Sequence, residues 1–157
     1  MMNWKIAALL ASLLALPTMA ADYKTIDWDL LIPEGEKLLP PSLPDHENPM
    51  SVPQPVGGVN KKLDQQDIRI PGFVVPLEGN AKIITAFLLV PYFGACIHVP
   101  PPPTNQVIYV SYPKGAPVDD LWDAVWVKGK MRTASSSHDM ANASYSLEAV
   151  EVSVYQE

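Results

Sequence analysis

Tyr145-Ser146-Leu147-Glu148-Ala149-Val150-Glu151-Val152-Ser153-Val154-Tyr155 decides the fold class. Apolar and polar residues alternate along its whole length, the period of a β-strand with one buried face. Working backwards, Ala124-Val125-Trp126-Val127-Lys128-Gly129-Lys130-Met131 and Gln106-Val107-Ile108-Tyr109-Val110-Ser111 alternate in the same way. Lys82-Ile83-Ile84-Thr85-Ala86-Phe87-Leu88-Leu89-Val90 is β-branched and apolar, the mark of a buried strand. Asp67-Ile68-Arg69-Ile70-Pro71-Gly72-Phe73-Val74-Val75-Pro76 alternates and then turns apolar, a strand kinked at Pro71-Gly72.

Between these strands lie loop-sized gaps. Tyr112-Pro113-Lys114-Gly115-Ala116-Pro117 has turn chemistry, Asp119-Asp120-Leu121-Trp122 reads as a helical turn, and residues 133–144 read as polar loop. No amphipathic helix exceeds a turn or two. The pattern predicts an all-β domain, a small five-stranded antiparallel Greek-key barrel of the OB type, with an open β-sandwich as the alternative. Closure removes the edges that five apolar strands would otherwise expose. Gly72 and Gly129 sit where a small barrel must bend. Trp126 is read as core and Trp122 as an end cap.

The chain opens with the features of a cleavable export signal. Lys5 precedes an apolar block from Ile6 to Leu16, which is too short to span a bilayer, and small residues follow around Thr18 and Ala20. The expected division is a signal peptide at 1–20, a proline-rich N-terminal arm at 21–60 and the barrel at 61–157. In the arm only Trp28-Asp29-Leu30-Leu31-Ile32 can bury itself, as one helical turn, and Trp28 and Leu31 are its anchors. The prolines from Pro40 to Pro55 exclude a long helix or central strand there.

The net charge of the 157-residue chain is −6, and loss of Lys5 with the signal makes it −7. An acidic balance argues against nucleic acid and against docking on anionic lipid. Export implies an oxidising compartment, most simply a bacterial periplasm, with no stable membrane span once the signal is removed. One cysteine cannot form an internal disulfide, so Cys96 is buried, metal-bound, catalytic or paired with another molecule.

Cys96 lies in the richest segment for chemistry. Pro91-Tyr92-Phe93-Gly94-Ala95-Cys96-Ile97-His98-Val99 leads into Pro100-Pro101-Pro102-Pro103-Thr104-Asn105-Gln106. In extended backbone Cys96 and His98 share a face, so sulfur and imidazole can reach one zinc ion, with His138 and Glu78 as further donors. The same pair could serve a thiol nucleophile and its base, although catalytic Cys–His pairs normally come from separated parts of a chain. A packed loop with a buried thiol fits equally. The four prolines form a polyproline II rod. Pro101 and Pro102 would dock an aromatic-lined groove on a partner or simply stiffen the entry to the next strand. Tyr92 and Phe93 cover one mouth of the barrel or meet a partner. Asn105 and Gln106 meet that partner or satisfy backbone groups of the loop. His46, between Asp45 and Glu47, is read as solvated.

Two stretches carry a family resemblance: Ile70-Pro71-Gly72-Phe73-Val74-Val75-Pro76-Leu77-Glu78, and the run from Phe87 through Cys96 and His98 to Gln106. From about Trp28 onward the chain resembles an uncharacterised bacterial periplasmic family, a domain of unknown function. The resemblance implies an accessory product of gene clusters for ABC-type transporters, some of them responsive to zinc limitation. It brings no catalytic residues with it. The expectation is therefore a periplasmic, non-enzymatic accessory or binding protein. Its implied partner is an ABC transporter component or a periplasmic metal-binding protein, and zinc is the one cofactor considered. The alternatives are an OB module for oligosaccharide or peptide, a Cys/His-dependent enzyme, and a purely structural protein.

Overall fold

A computed structural model describes residues 22–40, 53–80, 82–96, 99–116 and 124–156. Among them the strands are β1 (Lys24–Thr25), β2 (Asp67–Gly79), β3 (Ile84–Val90), β4 (Ile108–Ala116), β5 (Ala124–Arg132), β6 (Ser136–Ser137), β7 (Asn142–Ala143) and β8 (Tyr145–Val154). Three short 3-10 turns complete the description, at Trp28–Leu31, Lys61–Leu63 and Thr104–Gln106. The five predicted strands are β2, β3, β4, β5 and β8. Their order is β2-β3-β4-β8-β5, and β5 pairs back to β2. The ring is closed, the five-stranded Greek-key barrel of the OB type.

One pairing differs from expectation. β4 and β8 run parallel, while the other four barrel pairs are antiparallel. The reason is arithmetic. Direction cannot alternate all the way round a ring with an odd number of strands, so a closed barrel of five needs a parallel seam.

β2 serves two neighbours in turn. Its residues Asp67 to Phe73 pair with β5, and Phe73 to Gly79 pair with β3. The change of partner falls beside Gly72, where a Cβ would run into the Leu89 side chain and the Val90 carbonyl. Gly129 lies at a register shift between β5 and β8, and there a Cβ would meet the Glu148 carbonyl. Close backbone approach thus explains both glycines.

Two stretches read as irregular carry strand. β4 continues through Tyr112, Pro113 and Gly115 to Ala116, which pairs with Ile84. A register shift between Ile84 and Ala86 takes up the extra residues of β4 and spares Pro113 a ladder hydrogen bond. Within 133–144, β6 and β7 form a small hairpin, Ser136 opposite Ala143 and Ser137 opposite Asn142.

Alternation puts Ile70, Phe87, Leu89, Val110, Val127 and Leu147 inside the barrel. A second apolar cluster lies on its outer surface. There Val75, Leu88 and Val90 of β2 and β3 are covered by Ala95 from the β3–β4 connection and by Ala141 and Ala143 of the hairpin. Trp126 belongs to neither core. Val125 and Val127 point inward, so strand parity turns Trp126 outward, where it is half-buried. The assignment of Trp126 to the core is corrected accordingly.

The arm is bound to the barrel. Leu31 is fully buried, and the Trp28 indole donates to the Pro71 carbonyl at 2.7 Å. The buried Tyr145 hydroxyl donates to the Leu31 carbonyl and accepts from the Asn60 amide, both at 2.6 Å. Burial raises the Tyr145 pKa, Glu36 raises it further, and the Asn60 bond opposes them. His46, Trp122, the helical turn expected at 119–122 and the signal peptide expected at 1–20 lie outside the described residues.

Candidate functional site

The connection from β3 to β4 builds the rim that the sequence singled out. After Val90 the chain bends, and Gly94 and Cys96 both take positive φ, 80° and 66°. The Val99 amide donates to the Gly94 carbonyl at 3.2 Å, closing a tight loop. Left-handed backbone at Cys96 corrects the extended geometry on which a shared Cys96–His98 face was based. A residue in that conformation belongs to a turn, where the two-residue period of a strand no longer applies. His98 itself lies outside the described residues.

Cys96 is half-buried and packs against the outer apolar cluster together with Tyr92, Phe73 and Met140. Burial pushes its thiol pKa up to about 12. Burial also raises the Tyr92 pKa, and the nearby Cys96 raises it further. Burial thus carries both groups further from ionisation. The thiolate is the nucleophile, so this environment disfavours an activated thiol.

The other proposed metal donors lie on β2 and in the β6–β7 hairpin. Glu78 is exposed near the end of β2 and pairs with Ala86. The Cys96 loop leaves β3 at Val90, opposite Phe73. His138 follows β6. Its ring stacks on Tyr109, with centroids 4.8 Å apart and 13° between planes, and its Nε2 lies 2.9 Å from the Ser136 hydroxyl. Among the described residues no group of three or more His, Cys, Asp and Glu is gathered to hold a metal. Glu78, Cys96 and His138 are not gathered into such a group, and no chemistry is routed through a metal here.

The partner-binding candidates separate into two groups. Phe93 is 56% exposed and meets Phe73 edge to face at 6.1 Å, with half-buried Tyr92 beside it. Pro101 is half-buried and Pro102 buried, and the Pro102 carbonyl accepts from the Gln54 amide at 2.8 Å. Asn105 and Gln106 face inward, 3% and 4% exposed. Asn105 donates to the Gly58 carbonyl at 2.9 Å and Gln106 to the Trp28 carbonyl at 3.1 Å. Gly57 presses so close that a Cβ there would overlap the Asn105 amide. Thr104 closes the set by accepting from the Gly57 amide and the Ser144 hydroxyl. The polar end of the motif is therefore a receptor for the arm of the same chain.

Gln54 adds a second clamp. Its side-chain amide donates to the Asn142 carbonyl at 2.9 Å and accepts from the Asn142 amide at 2.7 Å. It pairs with the hairpin as a neighbouring strand would.

Sequence reasoning missed a group on the outer face of β2 and β5. The Arg69 guanidinium lies 3.9 Å from the centroid of the Trp126 ring, and Trp126 stacks on Tyr155 at 5.2 Å. Parity in Asp67-Ile68-Arg69-Ile70 and Val125-Trp126-Val127 was the signal available, since each places its large polar or aromatic residue outside.

Fold and site together define an arm-clamped OB-type barrel with an aromatic rim. The chain belongs to the family described as protein of unknown function (DUF3299), which matches residues 28–154. A crystal structure of a DUF3299 family protein from Pseudomonas aeruginosa PAO1 is similar, with 40% sequence identity and a TM-score of 0.77. That match covers 87% of this chain and 98% of the other. No curated protein matches the chain.

Proposed function

We propose that this chain is a non-enzymatic accessory protein of the bacterial periplasm, which binds a protein component of an ABC-type transport system through the rim of Tyr92 and Phe93. The observation that carries this reading is the contrast within one loop: Cys96 is half-buried with its thiol pKa raised, whereas Phe93 in the same loop is 56% exposed. A reactive centre would show the opposite arrangement. An exposed aromatic on a stiff loop is suited to recognition, because large rings supply contact area at low conformational cost. The transport context comes from the resemblance of the sequence motifs. No helix among the described residues is long and apolar enough to cross a membrane.

A photo-crosslinking residue at position 93, compared with one at the exposed position 150 on β8, tests the reading in cells. The expected result is a discrete adduct from position 93 containing a transporter component. Equal, diffuse labelling from both positions would remove the proposal. The zinc association that the resemblance implies has its own test. Titration of the chain and of Cys96→Ser should give equal, millimolar-weak binding, and tight stoichiometric binding lost in the variant would restore a metal role.

A further inference from the structure

Arg69 differs from the neighbouring cations on its face of the barrel. Lys128 holds Glu151 at 2.9 Å, Lys130 holds Asp67 at 2.9 Å, and Arg132 holds Glu148 at 2.7 Å. Arg69 has no carboxylate partner among the described residues, and its buried Nε has no hydrogen-bond partner. It stands directly across the β2–β5 ladder from Lys128. Like charges facing each other across a ladder are destabilising, and Glu151, opposite Lys128 on β8, is already bonded to that lysine.

The stack fixes what Arg69 can offer. With its guanidinium flat on Trp126 and Nε enclosed, the terminal amino groups are the part left to meet a ligand. A guanidinium edge held in one orientation matches a planar carboxylate with two parallel N–H···O bonds. The surroundings narrow the ligand further. Glu151 and Asp67 lie on the same face, each already paired with a lysine, and Tyr155, stacked on Trp126, continues the surface as an exposed aromatic group.

We propose that Arg69, backed by Trp126 and Tyr155, is a recognition site for a carboxylate on an extended, acidic and partly apolar segment of a protein partner. The site is built from Arg69, Trp126 and Tyr155 and does not depend on the Phe93 rim, which meets β2 four residues further on at Phe73.

The test uses the full chain and two capped peptides, alternating Glu-Val and its Gln-Val analogue, with inorganic phosphate as a competitor. The readout is the indole N–H resonance of Trp126, identified as the signal missing in Trp126→Phe. The expected result is a saturable shift with the Glu peptide and at least tenfold weaker binding of the Gln peptide. Arg69→Gln should lose at least tenfold in affinity for the Glu peptide, and Arg69→Lys several-fold, because it keeps the charge and loses the fork. Equal binding of the two peptides to the unaltered chain would overturn the site without recourse to a variant. So would phosphate binding more tightly than the Glu peptide at matched ionic strength, or an unchanged affinity in a folded Arg69→Gln.

Discussion

The barrel wears two unlike outer faces. Over β2 and β3, Val75, Leu88 and Val90 are roofed by the Cys96 loop and the β6–β7 hairpin, which makes a second core outside the first. Over β5 and β8 no described segment forms such a roof, and ion pairs such as Lys128–Glu151 and Arg132–Glu148 stand at the surface beside the Arg69–Trp126–Tyr155 stack. The same alternation writes both faces. What separates them is the character of the outward residues: apolar on β3, charged on β5 and β8. A strand apolar on both sides requires a cover, and here the chain supplies it from its own connections.

The sharpest way to break this comparison is Leu88→Ala. Leu88 lies outside the barrel yet is fully buried. Its truncation should cost about 2–5 kcal/mol, as in a true interior. Chemical denaturation measures it, and a loss below about 1 kcal/mol would mean the roof is loose.

Cys96 probes the roof more gently. A thiol with a pKa of about 12 reacts through its thiolate on the order of a thousandfold more slowly at pH 8 than an ordinary one of about 8.5. Labelling with a disulfide reagent, with and without denaturant, checks this. The sign for stability follows from linkage. Above the unfolded pKa the unfolded chain releases the proton while the folded chain retains it. Stability therefore falls as pH rises from about 8.5 towards the folded value. The fall should be shallower in Cys96→Ala, read as the difference in thermal midpoint between pH 7 and pH 10. Identical slopes would place the thiol in solvent.

The smallest effect belongs to the open face. Lys128→Gln breaks an ion pair whose side chains are 30% and 51% exposed. It should change stability by less than about 1 kcal/mol. A larger loss would mean that this face is as tightly organised as the other.

Much of the fold was legible because its signal is local. The five strands, the anchoring turn at Trp28–Leu31 and the two close-packed glycines all follow from period, β-branching and backbone chemistry. The misreadings arise where long-range geometry overrides local chemistry. Pro113 and Gly115 read as a turn, yet a bulge carries β4 past them. Trp126 reads as core on size, yet parity puts it outside. The site was legible as a place more than as a chemistry. The motif around Cys96 does mark a structured rim, but composition could not reveal positive φ at Cys96 or the burial that raises its pKa. Nor could it show that Asn105 and Gln106 serve the arm 47 and 78 residues upstream.

The parallel seam has a consequence for how the chain is made. β8 is inserted between β4 and β5 and follows both of them in the sequence. Until it emerges, neither strand has its second neighbour, and the arm lacks Tyr145, the residue that fastens its two ends. Non-local closure of this kind is slow. A nascent chain thus keeps the ring open until β8 has emerged, and only then can Tyr145 join Leu31 and Asn60.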